Sequence, residues 1–113
     1  MHTKYKGYWG EFLASLLLML KGFSILERRY KTNCGEIDVV AQRGDLVIFV
    51  EVKARKSAEK CFTAIKSRQM ERVRRASEIF FQKNPELSHK NIRFDVILIS
   101  DWNIPIHLEN VNI

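Results

Sequence analysis

The spacing of apolar residues predicts a helix near the start of the chain. A largely apolar run of nine residues, from Phe12 to Leu20, is followed by Lys21 and Gly22. Glycine is common just past a helix C-terminus. The run is far shorter than the roughly 20 residues that span a bilayer, and no small-x-small cleavage site follows it. We therefore predict a core helix over residues 8–21, rather than a membrane span or a signal peptide.

Strand-like runs and one further helical pattern fill the rest of the chain. A second helix is predicted to end near Lys83, because Asn84 and Pro85 stop it. The last strand is predicted to be an edge strand, since Pro105 cannot donate to a ladder. The predicted strands cover residues 23–31, 36–42, 46–54, 91–100 and 104–111. The order αβββαββ predicts an α/β fold in a single domain, residues 1–113, with a central mixed sheet flanked by helices.

A predicted hairpin gathers acidic residues on one face of this sheet. If Gly44 and Asp45 form a two-residue loop, Asp38 lies directly opposite Glu51. If Arg43 and Gly44 form the loop, Glu36 faces Glu51 and Asp38 is its diagonal neighbour. A three-residue loop would instead put Asp38 and Glu51 on opposite faces. In both two-residue registers, one face carries three acids and a lysine, at positions Glu36, Asp38, Glu51 and Lys53.

The charge of the chain is concentrated in one segment. The net charge is +6, and ten basic against three acidic residues between Lys53 and Lys83 give that segment +7. Such a patch suits a nucleic-acid backbone, although a solvated helix face is an equally good interpretation of charge alone. The candidate phosphate contacts are Arg55, Lys56, Lys60, Lys66, Arg68 and Arg72.

The cysteines and histidines suggest no metal or redox centre. Cys34 and Cys61 do not form a Cys-x-x-Cys or Cys/His ligand spacing. We expect them to be reduced thiols of a cytoplasmic protein. His2, His89 and His107 stand alone in the sequence, and we expect them in surface or loop positions.

The acids and the lysine of the hairpin are the candidate catalytic groups. Asp38 and Glu51 could bind Mg²⁺ or Mn²⁺, with the backbone carbonyl of Val52 as a third oxygen. Lys53 could orient or deprotonate a water molecule, or stabilise charge on a phosphate. Glu11 either faces solvent near the start of its helix or reaches this cluster. The alternative for the whole group is a set of cross-strand ion pairs.

Gln69 is a further candidate because of its phase on the second helix. It lies on the stripe formed at three- and four-residue spacing by Ile65, Gln69, Val73, Ala76 and Phe80. This stripe is predicted to face the sheet. Gln69 is then either a boundary residue with a satisfied amide or a polar contact near the site.

Two sequence blocks resemble a known family. Gly35-Glu36-Ile37-Asp38 and Phe49-Val50-Glu51-Val52-Lys53-Ala54-Arg55 resemble the signature blocks of the YraN-like family of predicted endonucleases. That family is similar to Holliday-junction resolvases of the PD-(D/E)xK nuclease superfamily. The resemblance implies a restriction-endonuclease-like fold, with Asp38, Glu51 and Lys53 at catalytic positions and Glu11 as the helix acid. The chain departs from the family pattern at Phe62-Thr63, and it carries Gln69 where many members have lysine.

The resemblance also implies a function. We expect a Mg²⁺- or Mn²⁺-dependent endonuclease that acts on nucleic acid, DNA above all, and on branched or junction DNA in particular. The alternatives are a non-catalytic nucleic-acid-binding module and an accessory subunit that retains the fold. Resolvase-like proteins often act as homodimers, and apolar residues of the first helix or the last strand could supply the interface.

Overall fold

The computed structural model describes residues 3–55, 67–100 and 104–111. The side chains of residues 3–8, 55 and 67–69 are not described, although their backbone lies in helices or in a strand. A short 3₁₀ turn, Pro85–Leu87, follows the second helix. The helices are α1 (Thr3–Leu20) and α2 (Ser67–Lys83), and the strands are β1 (Ser24–Lys31), β2 (Glu36–Arg43), β3 (Leu46–Arg55), β4 (Asn91–Ser100) and β5 (Ile106–Leu108).

The five strands form one mixed sheet in the order β1-β2-β3-β4-β5. Only the pairing of β3 with β4 is parallel. A parallel pair needs a crossover connection, and α2 lies between these two strands in the chain. The predicted α/β fold with a central mixed sheet is therefore confirmed, and β3 is its central strand.

The helices pack against the sheet through two separate clusters. Ala14 and Leu18 of α1 are fully buried in the first cluster, together with Ile48 and Val50 of β3. The second cluster joins α2 to the sheet through the fully or almost fully buried residues Val73, Ala76, Phe80, Val40, Val47 and Phe49. Each fully buried Val, Leu or Phe side chain contributes about 1.5–3 kcal/mol of transfer free energy. Both faces of β3 are covered, which is why its sequence is apolar without alternation.

The β2–β3 hairpin has the first of the two predicted registers. Arg43 pairs with Leu46 and Val39 pairs with Val50, so the loop consists of Gly44 and Asp45 alone. Gly44 has a φ of 58°, the left-handed conformation that two-residue hairpin loops require and that glycine adopts without strain.

Two predicted boundaries are wrong. Helix α1 begins at Thr3 rather than at residue 8, because polar residues without apolar periodicity can still continue a helix. Strand β5 covers only Ile106–Leu108 rather than residues 104–111. Pro105 cannot donate to the ladder, and Asn110 turns the chain with a φ of 56°.

Over residues 9–20, whose side chains are described, helix α1 buries one side only. Its outer side exposes large apolar side chains at Trp9, Phe12, Leu16, Met19 and Leu20, and the rings of Trp9 and Phe12 stack 5.6 Å apart. No helix in the described part of the chain is long and apolar enough to cross a membrane.

Candidate functional site

The site begins where the pairing of β2 with β3 ends. Val39 and Val50 are the last paired residues, and Asp38 lies one position beyond them. Its Oδ2 accepts the backbone N–H of Val52 at 2.8 Å, so a carboxylate replaces the backbone acceptor of a continued ladder. Residues of a strand direct their N–H and C=O to the same neighbour. The carbonyl of Val52 is therefore directed to the same side as Asp38.

Glu51 and Lys53 project from the same strand and are both buried. They continue the alternating face of β3 that carries Phe49. The Nζ of Lys53 lies 3.3 Å from Oε1 of Glu51, and the two side chains are only 10% and 7% exposed. A buried acid and a buried lysine are uncommon unless they are paired.

Asp38 and Glu51 form a pair of interacting carboxyl groups. Each of them shifts the pKa of the other, through a side-chain hydrogen bond and, at Glu51, through charge. Burial, followed by the charge of Asp38, raises the pKa of Glu51 to about 8, although Lys53 opposes this. Burial also raises the pKa of Asp38 to about 6, against the stabilising N–H of Val52. Two carboxylates so close together cannot both ionise freely without a compensating positive charge.

Two further acids lie at the edge of this pair. Glu11 of α1 and Glu36 of β2 both act electrostatically on Asp38 and raise its pKa. Glu36 is exposed and pairs across the sheet with Lys31. Glu11 is only 16% exposed, and its Oε2 accepts a hydrogen bond of 2.6 Å from Nε of Arg29. Of the two predicted positions of Glu11, the one that faces solvent freely is therefore wrong.

Arg29 holds an unusual backbone conformation within β1. Its φ is 53°, and among the described residues only Asn110 shares a positive φ without being glycine. The left-handed region costs a non-glycine residue about 1–2 kcal/mol. A partly exposed ion pair contributes about 0–1 kcal/mol. The contact with Glu11 therefore does not offset the strain by itself, and nothing in the sequence signalled this conformation.

Comparison with known proteins identifies the family. The uncharacterised protein family UPF0102 matches residues 10–99, which include Asp38, Glu51 and Lys53. The chain belongs to the UPF0102 family. UPF0102 protein mlr4633 of Mesorhizobium japonicum is 44% identical over 105 residues, which cover 93% of this chain and 84% of the relative. UPF0102 protein R00337 of Rhizobium meliloti is 41% identical over 91% of this chain and 84% of its own length.

The YraN-like part of the sequence resemblance is thereby confirmed. A third relative, UPF0102 protein BCAN_A0183 of Brucella canis, is 41% identical over 92% of this chain and 82% of its own length. The family description and the names of these relatives state no activity. The assignment to the PD-(D/E)xK superfamily stays a prediction.

A second polar cluster of the UPF0102 chain lies on β4 and β5, and it was not predicted from the sequence. Asp95 is fully buried and accepts two hydrogen bonds of 2.9 Å from Arg93 and one of 2.9 Å from the N–H of Asn110. His107 Nε2 lies 2.8 Å from Asp95. The Nζ of Lys21 can only donate, so it donates to Nδ1 of His107. Nε2 is then the ring nitrogen that donates to Asp95.

This cluster corrects the prediction for His107. Its side chain is only 3% exposed, because β5 pairs with β4 and brings it against Asp95. Burial tends to raise the pKa of Asp95, but the hydrogen bonds from His107, Arg93 and Asn110 prevail and lower it. An acid within the apolar run of β4 was the available signal. His89 is exposed as predicted, and His2 lies outside the described residues.

Most of the predicted phosphate contacts lie where side chains are not described. Lys56, Lys60 and Lys66 fall outside the described residues. The backbone of Arg55 is in β3, and that of Arg68 and Gln69 is in α2. Arg72 is exposed on α2, as predicted. The stripe facing the sheet is confirmed for Val73, Ala76 and Phe80.

Part of the positive charge of α2 is neutralised within the helix. Arg74 forms ion pairs with Glu71 and with Glu78, the latter at 2.9 Å, and Arg75 lies 3.3 Å from Glu71. Arg72 has no ion pair with another described residue. The start of β2 packs closely beside it, because a Cβ on Gly35 would lie 2.9 Å from the Cβ of Arg72.

The donor set at Asp38 and Glu51 fits a hard divalent cation. Mg²⁺ and Mn²⁺ prefer carboxylate and carbonyl oxygens, and Mg²⁺ is often bound through only one or two carboxylates. Asp38 is partly buried and Glu51 is buried, and ionising both would place two negative charges side by side, which a divalent cation would offset. No group of three or more His, Cys, Asp or Glu side chains in the described ranges is placed to hold a metal. The set is therefore Asp38, Glu51 and the carbonyl of Val52.

Proposed function

We propose that this UPF0102 protein is a metal-dependent nuclease of the PD-(D/E)xK type, which hydrolyses phosphodiester bonds in nucleic acid. The observation that carries the proposal is the carboxyl pair of partly buried Asp38 and buried Glu51, with the Lys53 ammonium 3.3 Å from Glu51. A purely structural core gains little from burying Glu51 and Lys53 beside a second acid, because the desolvation of charged groups often exceeds their Coulombic gain. Strongly perturbed pKa values of this kind cluster at functional sites.

Each residue of the site has a definite task in this proposal. Asp38 and Glu51 would hold the cation, and the N–H of Val52 fixes the orientation of the Asp38 carboxylate. A bound divalent cation supplies Lewis-acid stabilisation of phosphate charge and lowers the pKa of water. The Lys53 ammonium stands beside Glu51, where it can stabilise negative charge on the phosphate or orient the attacking water.

The proposed substrate is DNA, bound through its phosphates. Arg72 is exposed and not tied into the ion pairs of α2, so it is the described arginine best suited to a backbone contact. The sequence suggests further phosphate contacts, at Arg55, Lys56, Lys60, Lys66 and Arg68. Phosphate contacts carry no base information, which suits an enzyme that selects branched or junction DNA by shape. Binding should weaken steeply with salt.

Cleavage assays test this function. Purified protein is incubated with linear, flap, splayed and four-way-junction DNA and with RNA, in Mg²⁺, Mn²⁺ or EDTA. We expect cutting in Mg²⁺ or Mn²⁺ and none in EDTA. Lys53→Met should abolish cutting while DNA binding remains. Lys83→Met is the matched control, because it removes an exposed lysine from the same basic segment.

The alternative is a non-catalytic nucleic-acid-binding module. One observation favours it, since only two carboxylates converge among the described residues and Glu11 is held by Arg29. Binding without cutting in every metal would select this alternative. Cutting that appears only after a stoichiometric partner is added would indicate an accessory subunit. The homodimer and the cytoplasmic location stay predictions.

A further inference from the structure

Arg29 is a charged residue of the site region to which the sequence analysis gave no role. The pairing of β1 with β2 sets Arg28 opposite Val39 and Tyr30 opposite Ile37. Arg29 is therefore level with Asp38 on the neighbouring strand. It is at this residue that the backbone of β1 adopts its left-handed φ of 53°.

The strained backbone and the ion pair with Glu11 occur at the same residue. Nε of Arg29 donates to Oε2 of Glu11 at 2.6 Å, and it thereby joins β1 to α1. Glycine would adopt this backbone conformation without strain, and the chain uses glycine for it at Gly22 and Gly44. A side chain that occupies such a position despite its cost is expected where it serves a site.

Glu11 is held beside β1 by Arg29, which is level with Asp38 on the neighbouring strand. Its charge raises the pKa of Asp38, which a distant or fully solvated acid would not do. Arg29 offsets that negative charge, and its guanidinium occupies a carboxylate oxygen that could otherwise contact a cation. The negative potential at Asp38 thus depends on whether Glu11 is paired.

We propose that Arg29 is a positioning residue that competes with the divalent cation for Glu11 and thereby limits the metal affinity of the site. The inference rests on the proposed metal site at Asp38 and Glu51. When Arg29 holds Glu11, the cation meets two carboxylates. When Arg29 is absent, Glu11 is free to add a third negative charge.

Titration with Mn²⁺ in the absence of nucleic acid tests this proposal. Arg29→Gly is the main variant, because glycine suits the backbone and the protein should stay folded, which a thermal melt verifies. We expect Mn²⁺ to bind Arg29→Gly about tenfold more tightly than the wild type, because the variant loses the positive charge of Arg29 and releases the carboxylate of Glu11. Arg29→Lys retains a positive charge and should restore an affinity within about twofold of the wild type.

Two controls separate the role of Arg29 from a general charge effect. Arg28→Ala removes an exposed neighbouring charge and should change the affinity by less than about twofold. In a protein that already carries Glu11→Gln, Arg29→Gly should raise the Mn²⁺ affinity much less, because there is no Glu11 carboxylate to release.

Each outcome of the titration has a defined meaning. Tighter binding by Arg29→Gly alone, abolished by Glu11→Gln, supports the proposal, whether or not the wild type shows measurable affinity. Equal affinity of wild type and Arg29→Gly, or an equal rise in Arg28→Ala, overturns it and leaves the metal site intact. No Mn²⁺ binding by any variant overturns the metal site and this inference together.

Discussion

The carboxylate of Asp38 accepts the backbone N–H of Val52 at 2.8 Å, one residue beyond the last pair of β2 and β3. One side chain thus ends the ladder and presents an oxygen to the site. Asp38→Asn keeps an acceptor for this N–H but loses the negative charge. We expect it to fold with near wild-type stability, to lose Mn²⁺ binding, and to cut DNA at least about a hundredfold more slowly.

Asp38→Ala separates the structural task from the chemical one. It leaves the N–H of Val52 without its acceptor, which costs about 1–3 kcal/mol. Urea unfolding of the two variants measures the difference. If Asp38→Asn and Asp38→Ala are equally stable, the hydrogen bond to Val52 contributes nothing.

The raised pKa of Glu51 predicts a stability that falls as pH rises. Burial and Asp38 hold this pKa at about 8 in the folded protein, against about 4.3 in the unfolded chain. Between these values the folded state binds more protons, so the free energy of unfolding decreases with pH. Thermal melts of the metal-free protein should show this loss between about pH 5 and 8.

Glu51→Gln is the variant that tests this pH dependence. The free energy of unfolding of this variant should depend less on pH than that of the wild type. At pH 8 the variant should be more stable by about 1–2 kcal/mol. Mn²⁺ should restore the stability of the wild type at pH 8 and leave Glu51→Gln unchanged. A wild-type curve that rises from pH 5 to 8 would contradict the assigned environment of Glu51.

The lowered pKa of Asp95 predicts that the stability of the protein falls as the pH falls, at low pH. Hydrogen bonds from His107, Arg93 and Asn110 lower its pKa despite burial. Its contribution is present above the unfolded pKa of about 3.9 and is lost as pH falls through the folded value. Asp95→Ala should cost about 3–5 kcal/mol, because it leaves Arg93 without its buried partner.

Circular dichroism during acid titration measures the effect of Asp95. Glu109→Ala is the control, since Glu109 is exposed and lies 3.5 Å from the same arginine. It should change stability by less than about 1 kcal/mol. An Asp95→Ala variant as stable as this control would show that the cluster does not stabilise the junction of β4 and β5.

Gly35 lies next to the site in a place that leaves no room for a larger side chain. A Cβ there would lie 2.9 Å from the Cβ of Arg72 and 3.2 Å from its carbonyl oxygen. Backbone atoms cannot yield as a flexible side chain does, so Gly35→Ala should destabilise by about 1–3 kcal/mol. Gly10→Ala is the control, because its Cβ would meet its neighbours at 3.6 Å or more and should stabilise α1 by about 0.5–1 kcal/mol. Urea unfolding compares them, and equal stability of the two variants would contradict the close contact.

The fold and the centre of the site could be predicted because their signals are local. The turn residues between two apolar runs allow two two-residue loops, both of which put Asp38 and Glu51 on one face, and the structure selects Gly44 and Asp45. The alternation of β3 then placed Glu51 and Lys53 on one face. The end of α2 followed in the same way from Asn84 and Pro85.

The unpredicted features depend on contacts between distant parts of the chain. His107 meets Asp95 only because β5 pairs with β4, and it meets Lys21 across 86 residues. The left-handed φ of Arg29 has no signal, because arginine does not favour that region. The ion pair of Glu11 with Arg29 links α1 to β1 and has no local signal either. The sequence therefore left open whether Glu11 faces solvent or reaches the cluster.

Anomalous diffraction from crystals soaked in manganese tests the central claim most directly. We expect a manganese peak within about 2.0–2.3 Å of one carboxylate oxygen of Asp38 and one of Glu51, the range of oxygen ligands to small divalent cations. The Lys53 ammonium should remain beside Glu51. Carboxylates that point apart with no peak between them, in crystals that contain manganese elsewhere, would contradict it.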